Sequence, residues 1–175
     1  MSIHQVQLRY DPVADRLLLS LRTHQAQLYR VWLTRRMVGG LVGPLQEIVA
    51  RFTLPQGPGA AMPVPEARPL MAEVARERPL NDLSFGEPFA NDAQDSHPLG
   101  PEPLLPAEID LRTPPGGGLQ MALREFRGRR LELSLSADLA TGLARLLDQC
   151  LGQANWSLPA AAQVAAAATG TYTLN

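Results

Sequence analysis

The sequence has one cysteine and no long hydrophobic run. Cys150 alone excludes an internal disulfide, which fits a reducing cytosol. No segment reaches the roughly 18 consecutive apolar residues that a membrane helix needs. The opening residues, MSIHQVQLRYD, alternate like a strand and lack the apolar core of a signal peptide. We therefore expect a cytoplasmic protein that does not enter a membrane.

Lysine is absent, and sixteen arginines supply all of the basic side chains. Arginine is the residue of choice for bidentate contacts, although a GC-rich genome also explains this bias together with the excess of alanine and proline. Seventeen acidic residues bring the net charge to −1. A near-neutral balance gives no overall attraction to nucleic acid or to a membrane surface.

Patterns of known catalytic and metal sites are also missing. The three histidines, at positions 4, 24 and 97, do not have the spacing of metal ligands. Asp95, Ser96 and His97 have the composition of a catalytic triad, but adjacent loop residues cannot adopt triad geometry. Cys150 lies in the apolar stripe of a helix, where a cysteine packs as a small hydrophobic residue. The sequence therefore predicts no catalytic residue, metal site or cofactor.

An internal duplication is the strongest pattern that is present. Residues 17–49 align with residues 119–151 without a gap, and seven of these 33 pairs are identical. Thr34 aligns with Ser136, and both are residue types that cap the start of a helix. Each unit reads as three strands with alternating apolar residues, followed by a helix with an apolar stripe. We predict an α+β fold of two βββα repeats, antiparallel sheets with packed helices, related by a pseudo-twofold axis.

The composition divides the chain into four segments. Residues 1–52 form the first repeat and residues 108–156 the second. Residues 53–107 hold eleven of the sixteen prolines and read as an acidic linker that is partly docked. Residues 157–175 form an alanine-rich tail with a candidate short helix. The first repeat carries a charge of +4 and the linker −5, so we expect the linker to associate with the first repeat.

One face of the first predicted sheet carries arginines around a tryptophan. Burial of Leu17, Leu19 and Leu21 turns the intervening side chains outward, because side chains alternate along a strand. The outer face then displays Arg9, Arg16, Arg22, Arg30 and Trp32. The second repeat adds Arg127, Arg129 and Arg130 from its FRGRR turn and β-strand.

Two further arginines, Arg35 and Arg36, open the first helix, where the helix dipole favours acidic residues. The second repeat has Ala137 and Asp138 at these positions. We expect acids of the linker to compensate the two arginines rather than leave them to solvent. The candidate partners are Glu66, Glu73, Glu77, Asp82 and Glu87.

At the level of topology, the predicted repeats resemble PUR-repeat and plant Whirly proteins. Those families bind single-stranded nucleic acid with duplicated sheet-plus-helix units, and arginines beside an exposed aromatic residue form such a platform. The resemblance implies single-stranded nucleic acid as a partner. This chain departs from those families in having three strands per unit and only 5% aromatic residues.

The same composition also suits a protein interface, where tryptophan and arginine are enriched. From the sequence we therefore expect a non-enzymatic interaction module that binds a protein or associates with itself through the Arg/Trp face. Single-stranded nucleic-acid binding through that face is the alternative.

Overall fold

The structure, a computed structural model, describes residues 3–52, 89, 95–115, 117–158 and 171–174. The chain has an α+β fold with duplicated βββα units, as the sequence predicts. The first unit consists of β1 (Ile3–Asp11), β2 (Arg16–Thr23), β3 (Leu28–Thr34) and α1 (Arg35–Phe52). The second consists of β4 (Glu108–Arg112), β5 (Leu119–Arg124), β6 (Arg130–Leu135) and α2 (Ala137–Ala154), and β7 (Thr171–Leu174) follows it.

The strands form two separate antiparallel sheets, in the orders β1-β2-β3 and β6-β5-β4-β7. The pairing of the last two strands is the same in both units. Leu17 faces Leu33 in the first sheet, and Leu119 faces Leu135 in the second, 102 residues later. The duplication therefore extends from the sequence to the register of the strands.

Strand β7 was not predicted from the sequence. It comes from the tail and pairs with β4, where Ile109 faces Leu174. The second sheet consequently has four strands where the alternation predicted three. The sequence predicts a short helix within the tail at residues 157–175, and residues 159–170 of that tail lie outside the described residues.

Both helices begin at the hydroxyl residues that the sequence marks as caps. The Thr34 hydroxyl accepts a hydrogen bond from the Met37 amide at 3.4 Å, and the Ser136 hydroxyl accepts one from the Leu139 amide at 3.2 Å. Each cap satisfies one of the amides that lack a partner in the first turn. Helix α1 continues through Pro44, which is buried among the apolar residues of its stripe.

The two repeats share one hydrophobic core. Helix α1 packs against α2, while α2 lies beside β1 and α1 lies beside β7, so each helix contacts the other repeat's sheet. Cys150 is buried at this junction, as predicted, and its thiol donates to the Leu8 carbonyl at 3.3 Å. Burial raises the pKa of the Cys150 thiol. None of the described helices is both long and apolar enough to cross a membrane.

The end of the proline-rich segment is part of the fold. Of the predicted linker, the structure describes Phe89 and residues 95–107. Ser96 and Leu104 each form a parallel bridge beside β3, with Gln27 and Val31 respectively. Leu104 is 0% exposed and belongs to the core. This segment therefore covers the outer edge of β3.

Candidate interaction surface

The outer face of the first sheet brings Arg9, Leu18 and Trp32 side by side. Arg9 faces Leu18 across β1 and β2, and Leu18 faces Trp32 across β2 and β3. We call these three residues the tryptophan row. Arg9 is exposed, whereas Leu18 and Trp32 are half-buried. The row places a cation and an aromatic ring on either side of an aliphatic side chain.

The end of this face nearest the β2–β3 turn is covered by the docked segment. The Arg22 guanidinium forms an ion pair with Asp95 at 2.9 Å, and the two side chains are only 16% and 0% exposed. Arg30 donates to the carbonyl of Pro101. Leu28, which alternation places on the same face, is buried. Two of the four sheet arginines are thus occupied by the chain itself.

At the opposite end, Arg16 faces Asp11 on one side and Thr34 on the other. Its side chain is half-buried. Arg16 therefore lies next to the tryptophan row and near the start of α1.

Arg35 and Arg36 are both exposed at the start of α1. Arg35 donates to the carbonyl of Ser157 at 2.7 Å, in the segment that follows α2. The five acidic residues that we expected to compensate these arginines lie outside the described residues. Arg35 thus holds a segment that is 122 residues away in the sequence.

Asp15 lies at the centre of the contacts beside Arg35. Its carboxylate accepts hydrogen bonds from the Trp156 indole at 2.7 Å and from the Tyr10 hydroxyl at 2.9 Å. The rings of Tyr10 and Trp156 meet edge to face at 5.8 Å. The hydrogen bond from Trp156, followed by that from Tyr10 and by the charge of Arg35, lowers the pKa of Asp15. This cluster joins the β1–β2 turn to the end of the second repeat.

Because the pKa of Asp15 is lower in the folded protein than in an unfolded chain, ionised Asp15 stabilises the fold above about pH 4. This contribution is lost as the pH falls through the folded-state pKa. We expect Asp15→Asn to lower the free energy of unfolding at pH 7 and to have a smaller effect near pH 2.5. Urea unfolding at the two pH values measures the difference. Asparagine suits the comparison because Asp15 has a φ of 48°, which asparagine tolerates. Equal effects at both pH values would contradict the prediction.

The FRGRR turn presents an aromatic side chain that sequence reasoning passed over. Phe126 is 95% exposed, and Arg127 and Arg130 are exposed near it. Arg129 makes two hydrogen bonds of 2.7 Å to Glu125 and donates to the carbonyls of Leu99 and Glu102. These bonds fix the turn against the docked segment. Residues of the turn and of the docked segment together line a concave surface. The only signal in the sequence was a phenylalanine placed within a glycine-containing turn.

The outer face of the second sheet is polar. Arg124, the equivalent of Arg22, pairs with Glu108 at 2.8 Å and with Asp110 at 2.6 Å. These carboxylates raise the pKa of Arg124, chiefly through the hydrogen bond to Glu108. The row equivalent to the tryptophan row consists of Arg112, Gln120 and Ser134. The second repeat therefore lacks the aromatic surface of the first.

Within the described residues, no group of three or more histidine, cysteine, aspartate or glutamate side chains has the geometry of a metal site. The structure does bring His4 and His24 together, with ring centroids 4.6 Å apart. His97 and the other members of the Asp95–His97 run lie in the docked segment, where Asp95 is committed to Arg22.

Comparison of the chain with protein-family models, curated proteins and solved structures found no match. The resemblance to PUR-repeat and Whirly proteins rests on the order of strands and helices.

Proposed function

We propose that the protein is a non-enzymatic interaction module that binds a protein, or a second copy of itself, through the outer face of its first sheet. The tryptophan row is the observation that carries this proposal. It combines tryptophan and arginine. Both residue types are enriched among the few residues that contribute most of the binding energy at protein interfaces. Half-burial of Trp32 and Leu18 leaves part of each side chain accessible to a partner.

The contacts of four other candidate arginines favour a protein over a nucleic acid. A surface that follows a phosphate backbone needs free guanidinium groups. Arg22, Arg30, Arg35 and Arg129 instead contact carboxylates or carbonyls of this chain. An interface that contains few free charges around an aromatic centre is typical of protein recognition.

Single-stranded nucleic acid is the alternative partner, and exposed Arg9 beside Trp32 is the observation that favours it. Stacking of a base on Trp32 would be worth about 1–3 kcal/mol by alanine substitution. Each neutralised phosphate would add about 0.7 to the slope of log affinity against log salt. A fluorescence titration of the protein with single-stranded oligonucleotides at low salt, with and without Trp32→Ala, tests this alternative directly.

For the protein interface, we expect Trp32→Ala to weaken association by about 30-fold, equivalent to about 2 kcal/mol for a tryptophan at the centre of an interface. Analytical ultracentrifugation at micromolar concentration measures self-association, and affinity capture with the wild type and the variant measures other partners. Val13→Ala is the control, because Val13 is 96% exposed in the β1–β2 turn and is not part of the row. If Trp32→Ala and Val13→Ala bind equally well, the tryptophan row is not the interface.

The proposal includes a pseudo-twofold axis between the repeats and a cytoplasmic location. Equal strand registers and the exchange of helix contacts between the two sheets support the axis. The single buried Cys150 supports a reducing compartment. With such an axis, the outer faces of the two sheets are equivalent surfaces that have diverged, one aromatic and one polar.

A further inference from the structure

Among the described residues, the docked segment pairs with the outer edge of β3, whereas the outer edge of β6 has no such backbone partner. An exposed strand edge is a template for pairing with another chain, and folded proteins cover such edges. Helix α2 lies along β1, where the Cys150 thiol bonds to the carbonyl of Leu8. The docked segment covers β3, and α1 lies beside β7. No hydrogen bond of the described chain reaches the outer edge of β6.

Comparison with β3 of the first repeat shows which backbone groups of β6 lack a hydrogen-bond partner among the described residues. Along β3, the amides of Leu28 and Trp32 and the carbonyl of Arg30 bond to the docked segment, with distances of 2.8 Å. Since β5–β6 has the register of β2–β3, the equivalent groups are the Arg130 amide, the Glu132 carbonyl and the Ser134 amide. The side chains of these three residues are exposed on the outer face.

We propose that β6 pairs antiparallel with β6 of a second copy, so that the two four-stranded sheets become one sheet of eight strands. This inference is independent of the tryptophan row, which lies on the other sheet. The occupant is a second copy because the side chains of this edge complement themselves. With Leu131 opposite Leu131 at the twofold axis, Arg130 of each copy faces Glu132 of the other.

The charges also favour this register over the adjacent one. A shift that centres the pairing on Glu132 places two glutamates opposite each other, which is unfavourable. The register centred on Leu131 instead forms two Arg–Glu pairs across the strands. It also places the turn that carries exposed Phe126 at each end of the paired strands, near the start of the partner's α2.

The test uses four forms of the full chain: wild type, Arg130→Glu, Glu132→Arg and the double charge exchange. Sedimentation at about 100 μM, where even weak complexes are populated, measures the dimer. We expect the wild type to dimerise and each single variant to dimerise about ten-fold more weakly, because two attractive pairs become repulsive. The double exchange should restore the wild-type dimer.

An equimolar mixture of the two single variants gives the sharpest result. Positions 130 and 132 are both acidic in Arg130→Glu and both basic in Glu132→Arg, so opposite charges face each other only across a mixed pair. A heterodimer should therefore form although neither variant dimerises well alone. Circular dichroism and thermal unfolding confirm that each variant is folded, which exposure of both side chains favours. The charge reversals should weaken the β6 dimer to the same extent in the wild-type and Trp32→Ala backgrounds, because the tryptophan row lies on the other sheet.

The proposal is overturned by a monomeric wild type at this concentration, by single variants that dimerise as strongly as the wild type, or by a mixture that stays monomeric. A dimer that is sensitive to Trp32→Ala and insensitive to the charge reversals also overturns it. That last result would at the same time support the interface that we propose on the first sheet, so the two proposals fail separately.

Discussion

Replacing Leu104 with alanine should lower the free energy of unfolding by about 2–5 kcal/mol, the range for truncating a buried leucine. Leu104 belongs to the proline-rich segment, yet it is 0% exposed beside Val31 in the core. Its amide donates to the Arg30 carbonyl and its carbonyl accepts from the Trp32 amide, both at 2.8 Å. Loss of the side chain leaves a cavity at the place where the segment is held against β3.

Leu105→Ala is the matched control for this experiment, because the neighbouring leucine is only half-buried. We expect it to change the free energy of unfolding by about 1 kcal/mol or less, in line with substitutions outside the core. Urea unfolding measures both variants. Hydrogen exchange adds a local readout, since the Trp32 amide should exchange faster in Leu104→Ala. If the two alanine variants are equally stable, Leu104 is not an anchor of the fold.

Removing the Asp95 carboxylate should have the second-largest effect. Breaking a buried ion pair from one side costs about 3–5 kcal/mol, because the remaining charge stays buried without its partner. Asp95 is fully buried and Arg22 retains 16% exposure, so we expect Asp95→Ala to destabilise the protein by about 3 kcal/mol, at the lower end of that range. Chemical unfolding at neutral pH measures the loss.

The second repeat supplies a natural control for Asp95→Ala. Arg124 is the equivalent of Arg22, but it and Glu108 are 44% and 36% exposed, and Arg124 also pairs with Asp110. Glu108→Ala should therefore cost only about 0–1 kcal/mol, as for exposed pairs. A double-mutant cycle with Arg22→Met separates the ion pair from other contacts of Asp95. If Asp95→Ala is equally destabilising in the wild-type and Arg22→Met backgrounds, the pair is not the cause.

The contacts of Leu104 and Asp95 determine which part of the first sheet's outer face is available to a partner. The opposite net charges of the linker and the first repeat predict that the two segments associate. The ion pair between Asp95 and Arg22 is one contact between them. The contact covers one end of the face and leaves the tryptophan row beyond it. A partner would therefore meet Arg9, Leu18 and Trp32 rather than a sheet lined by free arginines.

The sequence by itself determined the repeated unit. Strands alternate with a period of two and helices with a period of 3.6, and both periods are local properties of the chain. Thr34 and Ser136 are equally local signals, since a cap acts within three residues. For the same reason the alternation correctly placed Leu17, Leu19 and Leu21 in the core and Trp32 on the other face.

Only the tertiary structure decided what each edge and each arginine contacts. An apolar stripe indicates that one face of an element is buried, but it does not indicate which other element covers that face. Asp95 is 73 residues from Arg22, and Ser157 is 122 residues from Arg35, so no local pattern connects them. The tail strand β7, the docked edge of β3 and the edge of β6 that has no backbone partner among the described residues all depend on long-range pairing. This long-range pairing depends on which backbone N–H and C=O groups still lack a hydrogen-bond partner after the repeats have packed together.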